Sequence, residues 1–349
     1  MITATGIVRM LALACGLATG VAGACADPVG DFYRGKTISL VVSTPPGGGY
    51  DLWGRLLSRH LGRHIPGHPQ IIVQNMVGAG GIRATTHLYN VSARDGSVLG
   101  VIHSTGPFVP LLEPNGPKFD ASKFGWIGSM TKETSFCVAW GEASVKTFED
   151  ARTKRILVGS TGPGSHMEVY PLLMNRLFGT KFEVISGYAG GNDIYLAMER
   201  GEVEGRCGVT YVALRNVKPD WLARKKVNII IQTGLEPDPD EGMKGVPMLI
   251  DMARTDEQRR IMELLFANGQ IQIPVLTPPD GPADRLAALR TALASALKDP
   301  ALLEDAKKHQ FTIRPVSGED VEALIKRVYA TPAAVVEAAI AATRPSGSR

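Results

Sequence analysis

The sequence predicts an α/β protein of two lobes, each a sheet flanked by helices, with a ligand held in the cleft between them. Three observations carry that expectation. Short β-branched runs alternate with helix-length segments, the turns after several of these runs are rich in glycine or hydroxyl side chains, and 349 residues exceed the roughly 100–200 of a typical domain. With 44% hydrophobic and 21% charged residues the chain has an ordinary globular composition, with apolar surface enough for two cores. Lys plus Arg number 38 against 34 Asp plus Glu, too even a balance for the clustered basic surface that nucleic-acid binding needs.

Residues 1–26 read as an export signal. Arg9 is their only charged residue, Met10 to Val21 forms an apolar or small core, and Ala24-Cys25-Ala26 supplies a small-x-small cleavage pattern. Cleavage after Ala26 and a periplasmic destination are expected; acylation of Cys25 is the rival reading of the same stretch. Maturation leaves Cys137 and Cys207, for which a disulfide and a pair of buried free thiols are both compatible with the sequence.

The mature chain opens on Gly30 to Thr37, a letter-for-letter match to the phosphate-loop pattern. That motif requires a strand before it and a helix after it, whereas here the cleavage site precedes and a strand follows, so it is rejected. The strand is Thr37 to Val42. It gives way to Thr44-Pro45-Pro46-Gly47-Gly48-Gly49-Tyr50-Asp51 and then to a helix beginning near Leu52. Glycines here permit a sharp bend or close approach of another molecule, and a helix start directs free N–H groups and a positive dipole end into the turn. Such a turn suits an anion; a plain βα connection is the alternative.

The pattern repeats. A strand at Gln70 to Asn75 leads to Gly78-Ala79-Gly80-Gly81 and a helix from Ile82, without the third glycine of a dinucleotide fingerprint, since Arg83 holds that position. A strand at Ser97 to His103 ends in Ser104-Thr105-Gly106-Pro107, hydroxyls placed where open α/β sheets bind ligands. The apolar text from Phe124 to Trp140 is the crossing into the second lobe. There a strand at Arg155 to Gly159 is followed by the turn Ser160 to Ser165 and a helix from His166 to Phe178. Lys181 to Ile185 then leads to Ser186-Gly187-Tyr188-Ala189-Gly190-Gly191 and a helix from Asn192 to Arg200, and Val227 to Gln232 is a further strand. A helix over 255–268 buries Ile261, Leu264 and Leu265, Ile271 to Leu276 returns the chain to the first lobe, and a helix over 283–298 repeats leucines at core spacing. The expected division is 1–26 signal, 27–128 plus 272–349 first lobe, and 129–271 second lobe.

No constellation for catalysis stands out: H-E-x-x-H, C-x-x-C and G-x-S-x-G are all lacking. His60, His64 and His68 recur every four residues, but Pro66-Gly67 interrupts any shared helix, so they are expected to be solvated residues at a helix end, with no metal and no cofactor. Asp51 is read as a ligand contact or a helix cap, His166 as a neutral hydrogen-bond donor at a helix start or a surface residue, and Tyr188 as a ring closing over the ligand or a core tyrosine.

Several of these stretches together carry a resemblance. Phe32 to Ile38, Pro46-Gly47-Gly48-Gly49-Tyr50-Asp51 with Arg55, Asn75 with Gly78-Ala79-Gly80-Gly81, and Gly187-Tyr188-x-Gly190 before Gly201-Glu202-Val203 resemble the extracytoplasmic solute receptors of tripartite tricarboxylate transporters, the Bug or TctC type. The resemblance runs from about Phe32 to about Ile325. It implies a periplasmic binding protein fold of type II-like plan that closes on a small carboxylate and delivers it to one large and one small integral membrane subunit, acting as a monomer and without chemistry of its own. It also implies ligand contacts at Gly48, Gly49, Tyr50, Asp51, Gly80, Gly81, Ser104 and Thr105 and, across the cleft, at Ser160, Thr161, Ser165, His166 and Tyr188. Val77 in place of a usual proline, and the bulky Tyr50 before the aspartate, depart from the pattern. An amino-acid or amide ligand paired to Asp51, or a secreted hydrolase using His166, are the rival functions.

Overall fold

The computed structural model describes residues 27–344 other than 114, 163 and 189. The expected signal segment, its cleavage site after Ala26, Cys25 and the tail 345–349 lie outside the described residues.

Eleven strands are described: β1 Thr37–Val42, β2 Gln70–Asn75, β3 Val98–Val101, β4 Gly125–Ser129, β5 Ser135–Trp140, β6 Ile156–Ser160, β7 Phe182–Ser186, β8 Gly205–Thr210, β9 Val227–Thr233, β10 Pro274–Thr277 and β11 Val316–Ser317. They form two sheets, one in the order β11-β4-β10-β3-β1-β2 and the other β7-β6-β8-β5-β9. Within the first, β2, β1 and β3 run parallel and β10 pairs antiparallel with both β3 and β4. Within the second, β7, β6 and β8 are parallel and β5 is antiparallel to both β8 and β9. The α/β plan in two lobes read from the sequence is the one the chain forms.

Burial on both faces explains the β-branched strands. Ile38, Leu40 and Val42 of β1 join the core that holds Leu56, Leu57 and Leu289, while Val41 turns the other way to meet Ala84 and Leu88. A strand covered on two sides reads as a near-continuous apolar run. The helix Gly49–His60 buries Trp53, Leu56 and Leu57, one helical stripe; burying each leucine contributes about 2 kcal/mol.

Histidines at the end of that helix differ from expectation. His60 is only 8% exposed and its Nε2 lies 3.0 Å from Asp305 Oδ2, while His64 Nε2 lies 2.8 Å from Asp299 Oδ2. His60 is buried and His64 half-buried, because the helix Pro300–Lys308 and its cap Asp299 cover them, whereas His68 is exposed as expected. The Gly30–Thr37 match to a phosphate loop begins inside the helix Pro28–Tyr33 and ends on the first residue of β1, the reverse of the strand-then-helix order phosphate binding needs.

Strand β8 is one of the elements the sequence did not announce. Arg206 and Gly208 interrupt its apolar run, and it is held to β5 by a disulfide between Cys137 and Cys207, both fully buried. Between the sheets, two segments run side by side: Met130 N donates to Ile273 O at 3.0 Å and Glu133 N to Gly269 O at 2.9 Å. The helix Ala333–Ala342 packs against Val109–Leu112 as well as against His166–Phe178 and Asp256–Phe266, so this helix touches both lobes. No helix among the described residues is long and apolar enough to cross a membrane.

Candidate functional site

Four helices begin at the glycine and hydroxyl turns singled out from the sequence, and none of the four carries a side-chain cap. Their N-cap residues are Gly48, Gly81, Ser165 and Gly190. Thr147, Thr255, Asp299 and Ser317 cap their helices by accepting backbone N–H groups, while the helices Ala283–Ala296 and Ala333–Ala342, away from these turns, are also without a side-chain cap. Uncapped helix starts leave N–H donors and the positive end of the dipole available to an anion, although at Gly81 the first donors, Ile82 N and Arg83 N, already bond to Ala79 O and Gly78 O.

In the first lobe, Gly80 sits at φ 60° and Gly81 at φ 92°, left-handed conformations that glycine adopts without strain. A side chain on Gly81 would meet Ser43 and His103, whereas space in front of Gly49 and Gly80 is empty. Tyr50 is buried; Ser104 N donates to its phenol oxygen at 3.1 Å, and the phenol lies 3.3 Å from Ser104 Oγ. Its ring packs on His103 with centroids 4.4 Å apart. Burial pushes the phenol's pKa up, against the two bonds with Ser104. Thr105 is half-buried beside them.

Asp51 is fully buried and fully engaged. Its Oδ2 accepts from Gly47 N at 2.7 Å and Arg55 Nε at 2.8 Å, and its Oδ1 accepts from Asn75 Nδ2 at 2.8 Å. Burial works to raise its pKa, but the bonds from Arg55, Asn75 and Gly47 outweigh burial and hold it below the usual carboxylate range. Asn75 also donates to Thr44 O at 2.8 Å, so this network fixes the loop to β2.

Across the cleft, Ser160 Oγ accepts from Gly162 N at 3.0 Å and lies 3.1 Å from Ser165 Oγ, which donates to Gly162 O at 2.8 Å. These hydroxyls shape the turn; Thr161 is half-buried next to them. Tyr188 lies partly buried against the second-lobe core and its N–H donates to Ser160 O at 3.2 Å. His166 stacks on Tyr170 with ring centroids 5.0 Å apart, and its Nε2 is buried with no hydrogen-bond partner. Burial, with His103 adding a like-charge penalty, lowers its pKa to about 4, so both imidazoles are neutral near pH 7. Thr105 and His166, from opposite lobes, line one cavity of about 580 Å³.

Sequence reasoning missed four residues here. Ser43 Oγ and Thr44 Oγ1 are buried without partners just past the end of β1, a position where ligand contacts are expected in such sheets. His103 was treated only as a strand end. Glu133 sits in the crossing between sheets, where burial raises its carboxyl pKa and the Thr210 hydroxyl and Arg314 act to lower it; its charge also reaches Tyr50. Nothing in its sequence surroundings marks it. Among the described residues no group of three or more His, Cys, Asp or Glu is arranged to hold a metal.

The chain thus has the two-lobed α/β fold of periplasmic binding proteins. Solved structures that share this fold include a TctC solute-binding protein from Polaromonas (TM-score 0.66, 20% identity, covering 88% of this chain and 99% of that one) and MatC of Rhodopseudomonas palustris with bound malate (TM-score 0.61, 19% identity, 88% and 99%). By sequence it is similar to the UPF0065 protein in the TAR-I ttuE-ttuC' intergenic region of Agrobacterium vitis, 24% identical over 280 residues, 78% of this chain and 75% of the relative. It is also similar to protein BugT of Bordetella pertussis, 37% identical over 99 residues, 28% of this chain and 29% of that protein. No protein-family model matches the chain. The resemblance to Bug and TctC receptors drawn from the glycine loops holds in these comparisons.

Proposed function

We propose that the chain is a periplasmic receptor of the TctC/Bug type that captures a small carboxylate in its interlobe cleft and delivers it to a transporter of one large and one small membrane subunit. The lobes divide as 27–128 plus 272–349 and 129–271, and the receptor works as a monomer after cleavage at about Ala26. The observation that carries the reading is the set of uncapped helix starts at Gly48, Gly81, Ser165 and Gly190. Together with the open faces of Gly49 and Gly80 and the unpartnered hydroxyls of Ser43 and Thr44, they offer donors to an anion without an arginine clamp. Gly48, Gly49, Tyr50, Gly80, Gly81, Ser104 and Thr105 form one jaw, and Ser160, Thr161, Ser165, His166 and Tyr188 the other; Asp51 holds the first jaw in shape. Solved relatives with malate and with adipate support an organic acid as the ligand class.

An amine ligand paired to Asp51 is disfavoured because both carboxylate oxygens already accept bonds. A hydrolase is disfavoured because His166 Nε2 has no hydrogen-bond partner, and so no serine to activate. Ligand contact with both lobes favours the closed form, which is the state a transporter would read. Thermal denaturation with a panel of di- and tricarboxylates and aromatic monocarboxylates tests the reading. At about 100 times the dissociation constant a true ligand adds about 2.7 kcal/mol, and no shift with any acid would refute it.

A further inference from the structure

The cavity that joins Thr105 to His166 is large and exposes more apolar than polar surface, although Asn115, Asn268 and Thr343 also line it. Phe108 and Leu112 of the first lobe face Val169, Leu264 and Leu265 of the second, and Ile340 of the final helix closes one side. At about 580 Å³ it falls in the range of sites that engulf a ligand of drug-like size, and it would hold on the order of twenty waters if a short acid occupied only its mouth. A greasy chamber of that size is costly to leave hydrated.

Charge inside the chamber points the same way. Two of its lining residues are acidic: Glu168 is buried and accepts from Ser186 Oγ at 2.7 Å, and Glu113 is exposed at the rim, its Oε1 3.4 Å from where a side chain on Gly164 would begin. The cationic residue among the lining, Arg344, is exposed. A second carboxylate carried into the chamber would meet like charge and no buried counter-ion. The unpartnered His166 Nε2 is instead suited to one neutral polar group.

Building on the receptor reading above, we infer that the ligand is a monocarboxylic acid with a bulky apolar body. Its carboxylate sits at the glycine and hydroxyl turns, and its body fills the chamber walled by Phe108, Val169, Leu264 and Ile340. A hydroxyl, ether or carbonyl on that body meets His166.

Calorimetric titration of the mature protein with butanoate, octanoate, 4-phenylbutanoate, malate and adipate tests this. Affinity should rise from butanoate to octanoate by up to about fourfold per methylene, 4-phenylbutanoate should exceed butanoate at least tenfold, and neither diacid should exceed butanoate. In Val169→Trp, which narrows the chamber, the preference for 4-phenylbutanoate over butanoate should collapse toward one, with a circular-dichroism melt verifying the fold. Diacids binding more tightly than monoacids, or affinity that ignores the size of the apolar body, would overturn the inference and leave the carboxylate receptor standing. Failure of every acid to bind would overturn both.

Discussion

The phenol of Tyr50 and the backbone of Ser104 tie the turns after β1 and β3 together: Ser104 N donates to the Tyr50 oxygen at 3.1 Å, and Ser104 Oγ stands 3.3 Å from it. The turn after β1 and the turn after β3 therefore move as one unit. In Tyr50→Phe the buried Ser104 N–H loses its acceptor, which should cost about 1–3 kcal/mol in denaturant unfolding. Carboxylate affinity should fall as well, since the first jaw loosens; an unchanged midpoint and affinity would show that the two loops are independent.

Asp51 is predicted to matter for stability before it matters for selectivity. Asp51→Ala removes the acceptor of Gly47 N and Asn75 Nδ2 as well as the partner of Arg55. The two bonds from Gly47 and Asn75 account for about 2 kcal/mol. Urea unfolding should show that loss, and Asp51→Asn should lose less, while neither variant should change the rank order of ligands.

Much of the loop geometry around the proposed site is legible from residues alone, and the reason differs by element. Successive glycines at 47–49 and 80–81 have few uses other than bends and close approaches, so the loops were readable, as was the helix His166–Phe178 that begins on a hydroxyl turn. What the pattern could not show was which polar atoms would be consumed internally. Asp51, Ser160 and Ser165 look like ligand groups in a sequence, yet each has protein partners, whereas Ser43 and Thr44 look unremarkable and are left unpartnered. Strand β8 escaped because its burial depends on pairing with β5 and β6 from other parts of the chain, and β propensity is a weak guide where Arg206 and Gly208 break the run. His60 was misjudged because its cover, the helix Pro300–Lys308, lies about 240 residues downstream.

Stability should fall with acid before the carboxylates titrate. Burial lowers the pKa of His103 and of His166 to about 4, from 6.5. The unfolded chain therefore binds more protons between those values, and stability is fully present above pH 6.5 and lost as pH falls toward 4. Melting temperature measured from pH 7.5 to 4.5 should decline steadily, with a shallower decline in His166→Gln. A flat profile across that range would contradict the burial of both imidazoles.

The disulfide Cys137–Cys207 closes a loop with a sequence separation of 70 residues inside the second sheet. Chain-entropy arguments give about 4 kcal/mol for a loop of that length. Reduction under native conditions, or the Cys137→Ala/Cys207→Ala double variant, should lower the unfolding midpoint by an amount of that order, and an unchanged midpoint would show that the bond adds nothing to the fold.

The central claim is that the cleft holds an organic acid, and native mass spectrometry of protein exported into the periplasm tests it most directly. The predicted result is one bound molecule per chain, released on denaturation and identified as a carboxylic acid, and missing from a Gly81→Leu variant whose side chain would collide with Ser43 and His103. A bound species without a carboxyl group, or a chain that stays empty after incubation with the whole panel of acids, would contradict it.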